Sequence, residues 1–178
     1  MVYIQNLIKP KLLLFCCCIL VACNTTTSEE TQPEADPLST AEALQANKEA
    51  FTAVMQTHLD AVSNRDLVRL QETMSPNGNM LLILPGSEII DSVDGFMDYH
   101  REWFAMPDWT FETKILNTEV GKDLGMAITE IVYREPKRDG VPYFNRMIVS
   151  YVLQKIDGKW YVIKDHASSV EKSTDKKS

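Results

Sequence analysis

Apolar residues recur every three or four positions between Ser39 and Ser63, and this spacing predicts a long amphipathic helix. The residues on its apolar stripe are Leu44, Phe51, Val54, Met55, His58, Leu59 and Val62. The stretch Ser39-Thr40-Ala41-Glu42 has the form of a capping box, in which the serine caps the helix and the glutamate reaches back to it. The folded part of the chain therefore opens with a helix that needs a surface to cover its stripe.

Two shorter helices are predicted downstream. Asp66 is placed to cap a helix that runs to about Met74, and Pro76-Asn77-Gly78 ends it. A third helix extends from about Val93 to Ala105. It carries Phe96, Tyr99 and Trp103 on one stripe.

The remaining pattern alternates with a period of two, which is typical of strands. Two short strands flank the turn at Pro85-Gly86. Four long strands are predicted at Trp109–Val120, Leu124–Arg134, Tyr143–Ile156 and Lys159–Val170, separated by the hairpin signals Gly121-Lys122-Asp123, Arg138-Asp139-Gly140 and Asp157-Gly158. Helices followed by a meander of antiparallel strands predict an α+β domain with its helices on one face of a curved sheet.

The N-terminal stretch has a different pattern. Lys9 and Lys11 precede eleven uninterrupted apolar residues, 12–22, and a polar run follows Cys23. Eleven helical residues span roughly 16 Å, which is too short to cross a bilayer. A charged start, a short apolar middle and a small residue before the cut are typical of a secretory signal.

Leu20-Val21-Ala22-Cys23 resembles the lipobox of bacterial lipoproteins, in which the cysteine thiol is acylated and cleavage leaves that cysteine as the first residue. The resemblance implies lipidation of Cys23 and a membrane-anchored, extracytoplasmic protein. Asn24 is not the aspartate that retains enterobacterial lipoproteins in the inner membrane, which favours the outer membrane if the host has two. The alternative is an ordinary signal peptide in which Cys23 is incidental.

Four segments follow from these patterns: a lipoprotein signal peptide at 1–22, a flexible tether at 23–38, a domain at 39–170 and a disordered tail at 171–178. All four cysteines lie at or before Cys23, so the domain has no internal disulfide. The net charge of −7, without a basic cluster, excludes a general affinity for nucleic acid.

Within the domain, "HLDAVSNRDLVRL", "GFMDYHREWFAMPDWTFETKIL" and "YVLQKIDGKWYVIKDHASS" resemble the nuclear-transport-factor-2-like (NTF2-like) superfamily, and in particular its SnoaL-like branch. The resemblance covers about residues 43–169. It implies a cone-shaped sheet wrapped round a long helix, open at one end to a pocket, and often a dimer that forms through the sheet.

His166 is the first candidate for chemistry. Strict alternation places it on one face of the last strand together with Trp160, Val162, Lys164 and Ser168. Members of the family often end Trp-x-Ile-x-His-x-His-x-Ser, so the resemblance implies that His166 and Ser168 face the pocket, while Lys164 replaces the first histidine. Three readings stay open for His166: a structural cap on the sheet edge, contact with a ligand, and general-base catalysis.

Other pocket candidates come from neighbouring elements. Glu130 and Arg146 are polar intruders in apolar alternation. Tyr99 and Trp103 are large enough to line a pocket, and an ordinary core position stays open for both. His58 is a core or pocket-wall residue, whereas Trp109 is expected in the core and His100, beside Arg101 and Glu102, on the surface. Ketosteroid-isomerase-like enzymes of this fold use a pocket tyrosine and acidic residues, and no such set stands out in the sequence.

No metal site and no cofactor are expected, because the histidines are isolated, the domain lacks cysteine and no glycine-rich phosphate loop occurs. Three functions remain. The leading one is a membrane-anchored domain that binds a small, mostly apolar ligand or acts as a dimeric accessory module. The second is an isomerase, cyclase or dehydratase of a small carbonyl compound, with His166 as the base. The third is an association module that uses its sheet.

Overall fold

The computed structural model describes residues 37–175, with side chains from Thr40 onward. The signal peptide, the lipidation site Cys23 and nearly all of the tether lie outside the described residues. Among the helices of residues 37–175, none is both long and apolar enough to cross a membrane.

Within the described residues, three helices precede or interrupt the sheet. α1 spans Pro37–Ser63, α2 spans Leu67–Glu72 and α3 spans Val93–Phe104. α1 begins two residues before the predicted Ser39, with a proline as its first residue, where the missing N–H has no helical partner to lose. The Asp66 carboxylate accepts the Arg69 N–H at 3.0 Å, so the predicted cap of α2 is confirmed.

Six strands form one sheet in the order β2-β1-β6-β5-β4-β3. Their bounds are β1 Asn79–Ile83, β2 Ile89–Ser92, β3 Thr110–Val120, β4 Leu124–Arg138, β5 Val141–Ile156 and β6 Lys159–Lys172. The neighbours β1 and β6 run parallel and the other pairs antiparallel, so the sheet is mixed rather than purely antiparallel. The predicted α+β fold with helices on one face of a curved sheet is confirmed.

The core lies between α1 and the inner face of the sheet. Phe51 of α1 is fully buried and meets Trp160 of β6 edge to face, with ring centroids 5.3 Å apart. Gly125 of β4 lies directly beneath this ring: a Cβ atom there would come within 2.6 Å of it. A glycine at this position therefore lets the helix approach the sheet closely. Trp109 is buried as predicted and stacks on Trp103 at 4.6 Å.

β6 departs twice from regular pairing. Val162 lies opposite Leu153 but Lys164 lies opposite Val152, so Ile163 is an extra residue. Ser169 and Glu171 likewise face consecutive residues of β5, Met147 and Arg146, and Val170 is the second extra residue. Each bulge shifts the alternation by one, because the period of side chains along a strand is two.

Candidate functional site

A cavity of about 360 Å³ opens between α3, the end of α1 and the inner face of the sheet. Its walls are mainly apolar and aromatic and include Leu82, Trp103, Phe111, Ile131, Met147 and Val149. A concave, largely apolar space with a few polar groups is the usual form of a small-molecule site.

Asp165 is the buried acid of this cavity. It lies on β6 between Leu82 of β1 and Tyr151 of β5, and only 8% of its surface is exposed. Its Oδ1 atom is buried and has no hydrogen-bond partner in the described part of the chain. Burial penalises the charged form and raises the pKa of Asp165 to about 8, so at neutral pH the carboxyl is mostly protonated and can donate a hydrogen bond.

The expected orientation of His166 is wrong. His166 is exposed, and it lies with Lys164 and Ser168 on the outer face of the sheet, away from the cavity. The physical reason is the bulge at Ile163. Trp160 and Val162 point inward as predicted, but the extra residue reverses the faces, so Asp165 and Ala167 point inward instead.

Two tyrosines accompany Asp165. Tyr99 of α3 lines the cavity, as does the buried ring of Tyr151. Burial raises the pKa of both phenols, and the nearby negative charge of Asp165 raises each further. Both hydroxyls are therefore neutral at physiological pH and can donate or accept hydrogen bonds. A tyrosine beside an acid is the combination that could not be recognised in the sequence.

His100 also lines the cavity, contrary to the expected surface position, and is 4% exposed. It lies four residues after Phe96, on the buried stripe of α3, and this helical period overrides its charged neighbours in sequence. Its Nδ1–H donates to the Phe96 carbonyl at 2.8 Å, which leaves Nε2 as an acceptor. Burial lowers the His100 pKa to about 4, so the ring is neutral at pH 7.

His58 lies in the core and is 1% exposed, and it is absent from the cavity wall. The Thr73 hydroxyl donates to the Leu70 carbonyl at 2.7 Å, so it must accept from His58 Nδ1 at 2.8 Å. The Nε2 atom of His58 is then a buried acceptor without a partner among the described residues. Its ring meets Tyr151 edge to face at 5.5 Å, directly behind the cavity wall.

Glu130 and Arg146 lie on the outer face of the sheet rather than in the cavity. Arg146 approaches Glu130 at 3.4 Å and Glu171 at 3.5 Å, and all three side chains are partly exposed. The break in apolar alternation that made them candidates reflects this surface ion-pair network. Of the remaining candidates, Tyr99 and Trp103 line the cavity and Ser168 does not.

The β4–β5 end of the cavity carries further polar groups. Arg138 binds Glu135 through two contacts, one of them 3.0 Å long, and lies 3.5 Å from the centre of the Tyr143 ring. The Tyr133 hydroxyl donates to Glu135 at 2.8 Å. Asn145 and Lys172, which face each other across β5 and β6, complete this end of the cavity. Residues 37–175 contain no group of three side chains able to hold a metal ion.

The SnoaL-like domain family matches residues 52–171, most of the described chain. The chain belongs to the SnoaL-like family. No curated protein matches it.

Solved structures similar to this SnoaL-like domain share its fold. A hexachlorocyclohexane dehydrochlorinase from Novosphingobium barchaimii is 16% identical with a TM-score of 0.65, and the match covers 75% of this chain and 92% of that one. A ketosteroid isomerase-like protein from Erwinia carotovora is 16% identical with a TM-score of 0.58 over 69% and 95% of the two chains. The association domain of the C. elegans protein kinase CaMKII is 22% identical with a TM-score of 0.54 over 71% and 98%. At these identities the likeness shows the fold alone.

Proposed function

We propose that this SnoaL-like domain binds a small, mostly apolar molecule in its cavity and that Asp165 supplies the central hydrogen bond. The observation that supports the proposal is a buried carboxyl group, Asp165, that lines a mainly apolar part of the cavity and has one oxygen, Oδ1, without a hydrogen-bond partner among the described residues. A buried oxygen without a hydrogen bond destabilises the folded protein by roughly 1–3 kcal/mol, and a ligand with a matching polar group would remove this penalty. Tyr99 and the Nε2 atom of His100 offer further hydrogen bonds nearby.

Ala167 offers a direct test, because it lies on the cavity wall and its neighbour Ser168 lies on the outer face. We expect Ala167→Phe to fill the cavity and to weaken binding of the neutral apolar fluorophore N-phenylnaphthylamine by more than tenfold. Ser168→Phe adds the same ring one residue away and should leave binding unchanged. Titration of probe fluorescence, with thermal melts to verify folding, measures both; equal affinity in the two variants would refute the proposal.

A second candidate function is acid–base catalysis on a small carbonyl compound, with Asp165 in the role that the sequence suggested for His166. A carboxyl whose pKa is near 8 holds its proton weakly enough to exchange it with a substrate carbon near neutral pH. Asp165 would take a proton beside the carbonyl and return it at another position. The dehydrochlorinase and the ketosteroid isomerase-like protein share the fold that would position such an acid.

This enzymatic function predicts a specific pH profile. If Asp165 acts as the base, turnover of a carbonyl substrate rises as pH increases through about 8, because only the ionised carboxylate accepts a proton. Asp165→Asn should abolish turnover, whereas His166→Asn should retain it. A panel of small carbonyl compounds assayed across this range provides the measurement, and turnover that survives Asp165→Asn would exclude the mechanism.

The cellular location remains a proposal that the sequence pattern around Cys23 supports. We expect acylation at Cys23, after removal of residues 1–22, and a lipid-anchored position in the cell envelope, with the outer membrane favoured where a second membrane exists. Mass spectrometry of the N-terminal peptide isolated from membranes tests it, and an unmodified Cys23 thiol would contradict it.

Self-association through the sheet is also proposed. On the outer face, Met126 is exposed and Ile128, Val132, Ile148 and Val152 are half-buried, which gives an apolar strip along β4 and β5. A homodimer would cover this strip, as an association module requires. Sedimentation of the full chain tests the proposal, and a monomer at every concentration would exclude it.

A further inference from the structure

We propose that the ligand of this cavity is an amphipathic anion, whose acidic group lies against Lys172 and Asn145 and whose apolar body extends towards Asp165. This inference rests on the proposed binding function and names the chemical class of the ligand. It follows from the two ends of the cavity, which differ in charge.

Lys172 points into the cavity. The second bulge of β6, at Val170, returns the alternation so that Glu171 points to the outer face and Lys172 points inward, opposite Asn145. Lys172 lines the cavity and is half-buried. No carboxylate of the described residues lies within ion-pairing distance, 4.0 Å, of its ammonium group.

The carboxylates near Lys172 already have partners of their own. Glu135 forms an ion pair with Arg138, so the two charges compensate each other. The hydrogen bonds from Arg138 hold the pKa of the Glu135 carboxyl below its usual range. Glu171 pairs with Arg146 on the outer face. The Asp175 carboxylate accepts the backbone N–H of Lys172 at 2.7 Å. Among residues 37–175, Lys172 is therefore the cation at this end of the cavity that is left for a ligand.

Asn145 provides a second, independent observation. Its side chain lines the cavity, only 8% of the residue is exposed, and its Oδ1 atom is buried without a partner among the described residues. A half-turn of the carboxamide exchanges its oxygen and nitrogen, so the same position can present N–H donors to an anion. An ammonium and an amide side by side form a suitable pair of donors for a carboxylate or a sulfonate.

The remainder of the cavity determines the rest of the ligand. Asn145 and Tyr151 are six residues apart on β5, which corresponds to roughly 20 Å along a strand. The wall between these ends includes Met147, Val149 and Ala167, which offer no charge. Asp165, mostly protonated at neutral pH, offers a neutral hydrogen bond at the far end. The cavity thus fits an elongated apolar molecule with one acidic end.

Two probes that differ by a single charged group test the inference. Anilinonaphthalene sulfonate is N-phenylnaphthylamine with a sulfonate added, and both fluoresce when they enter an apolar environment. We expect the full chain to bind the sulfonate roughly tenfold more tightly than the neutral probe. Lys172→Met should abolish this preference, and Lys172→Glu should reverse it. Emission sensitised by Trp103, Trp109 and Trp160 reports probe bound to the domain, and its loss in Ala167→Phe identifies the probe that lies in the cavity.

Lys164→Met is the matched control, because Lys164 lies on the same strand but is exposed on the outer face. It should retain the full preference for the anion. If the neutral probe binds but Lys172→Met leaves the preference unchanged, the anion site is refuted and the apolar site stands. If neither probe gives sensitised emission, or Ala167→Phe does not reduce it, the proposed binding function fails and the inference fails with it.

Discussion

Replacing Asp165 by asparagine should stabilise the protein by about 2–4 kcal/mol at pH 8, although it adds no contact. Asparagine has the shape of the carboxyl and cannot ionise. The wild-type side chain must either hold its proton in the folded state or carry a charge in an apolar cavity, and both cost free energy above the pKa of an unfolded aspartate, 3.8.

Asp165→Asn is expected to stabilise the protein because the folded and unfolded states bind the Asp165 proton with different affinity. Well below pH 3.8 the carboxyl is protonated in both the folded and the unfolded state. Between pH 3.8 and about 8 the unfolded chain releases the proton and the folded chain retains it, so the free energy of unfolding falls as pH rises. Above about pH 8 this contribution is constant. The difference in the free energy of unfolding between Asp165→Asn and the wild type should therefore be close to zero in acid, increase across this range and then become constant.

Denaturant unfolding at a series of pH values measures this difference, and the wild type serves as the reference because other groups titrate equally in both proteins. Asp91→Asn removes an exposed carboxyl from β2 and should change stability by no more than about 0.5 kcal/mol. An Asp165→Asn curve parallel to that of the wild type would show that the carboxyl ionises freely in the folded protein.

Phe51→Ala should destabilise the domain by about 4 kcal/mol, since a fully buried aromatic ring is removed from a site that cannot collapse easily. The ring fills the space between Trp160 and the backbone of Gly125, and it fixes α1 against the sheet. It does not line the cavity. The folded fraction should therefore bind N-phenylnaphthylamine with unchanged affinity.

Leu44→Ala is the control for this change, because Leu44 belongs to the same predicted stripe of α1 and is 60% exposed. Its loss should cost less than about 0.5 kcal/mol. Chemical unfolding of the two variants beside the wild type gives both values. A loss below about 1 kcal/mol for Phe51→Ala would mean that the helix does not depend on this contact.

The elements of the fold could be predicted because each has a local signal. Asp66 and the turn at Asp157-Gly158 lie where the sequence places them, and both turn residues have positive φ angles, 49° and 81°. The parallel pairing of β1 with β6 was not predictable in this way. It joins residues about 80 positions apart, such as Leu82 and Asp165, and no local pattern encodes that partner.

The site was harder to predict than the fold, because face assignment depends on every residue that precedes it in the strand. Tyr99 and Trp103 were pocket candidates from the stripe of a regular helix, and both line the cavity. His166 was assigned to the cavity face because alternation was counted through Ile163 without a break. An acid between apolar positions near the end of β6 was the available signal, but its meaning depends on a bulge that no residue type marks.

The bulge at Ile163 also bears on how such a cavity changes during evolution. In a related strand without the extra residue, the position four after the tryptophan would occupy the place that Asp165 takes here, five after Trp160. Inserting or deleting one codon therefore exchanges the β6 side chains beyond the bulge that a ligand meets, while every other amino acid remains the same. Roles assigned to aligned residues in this strand need a gap at Ile163, or they describe the wrong side of the sheet.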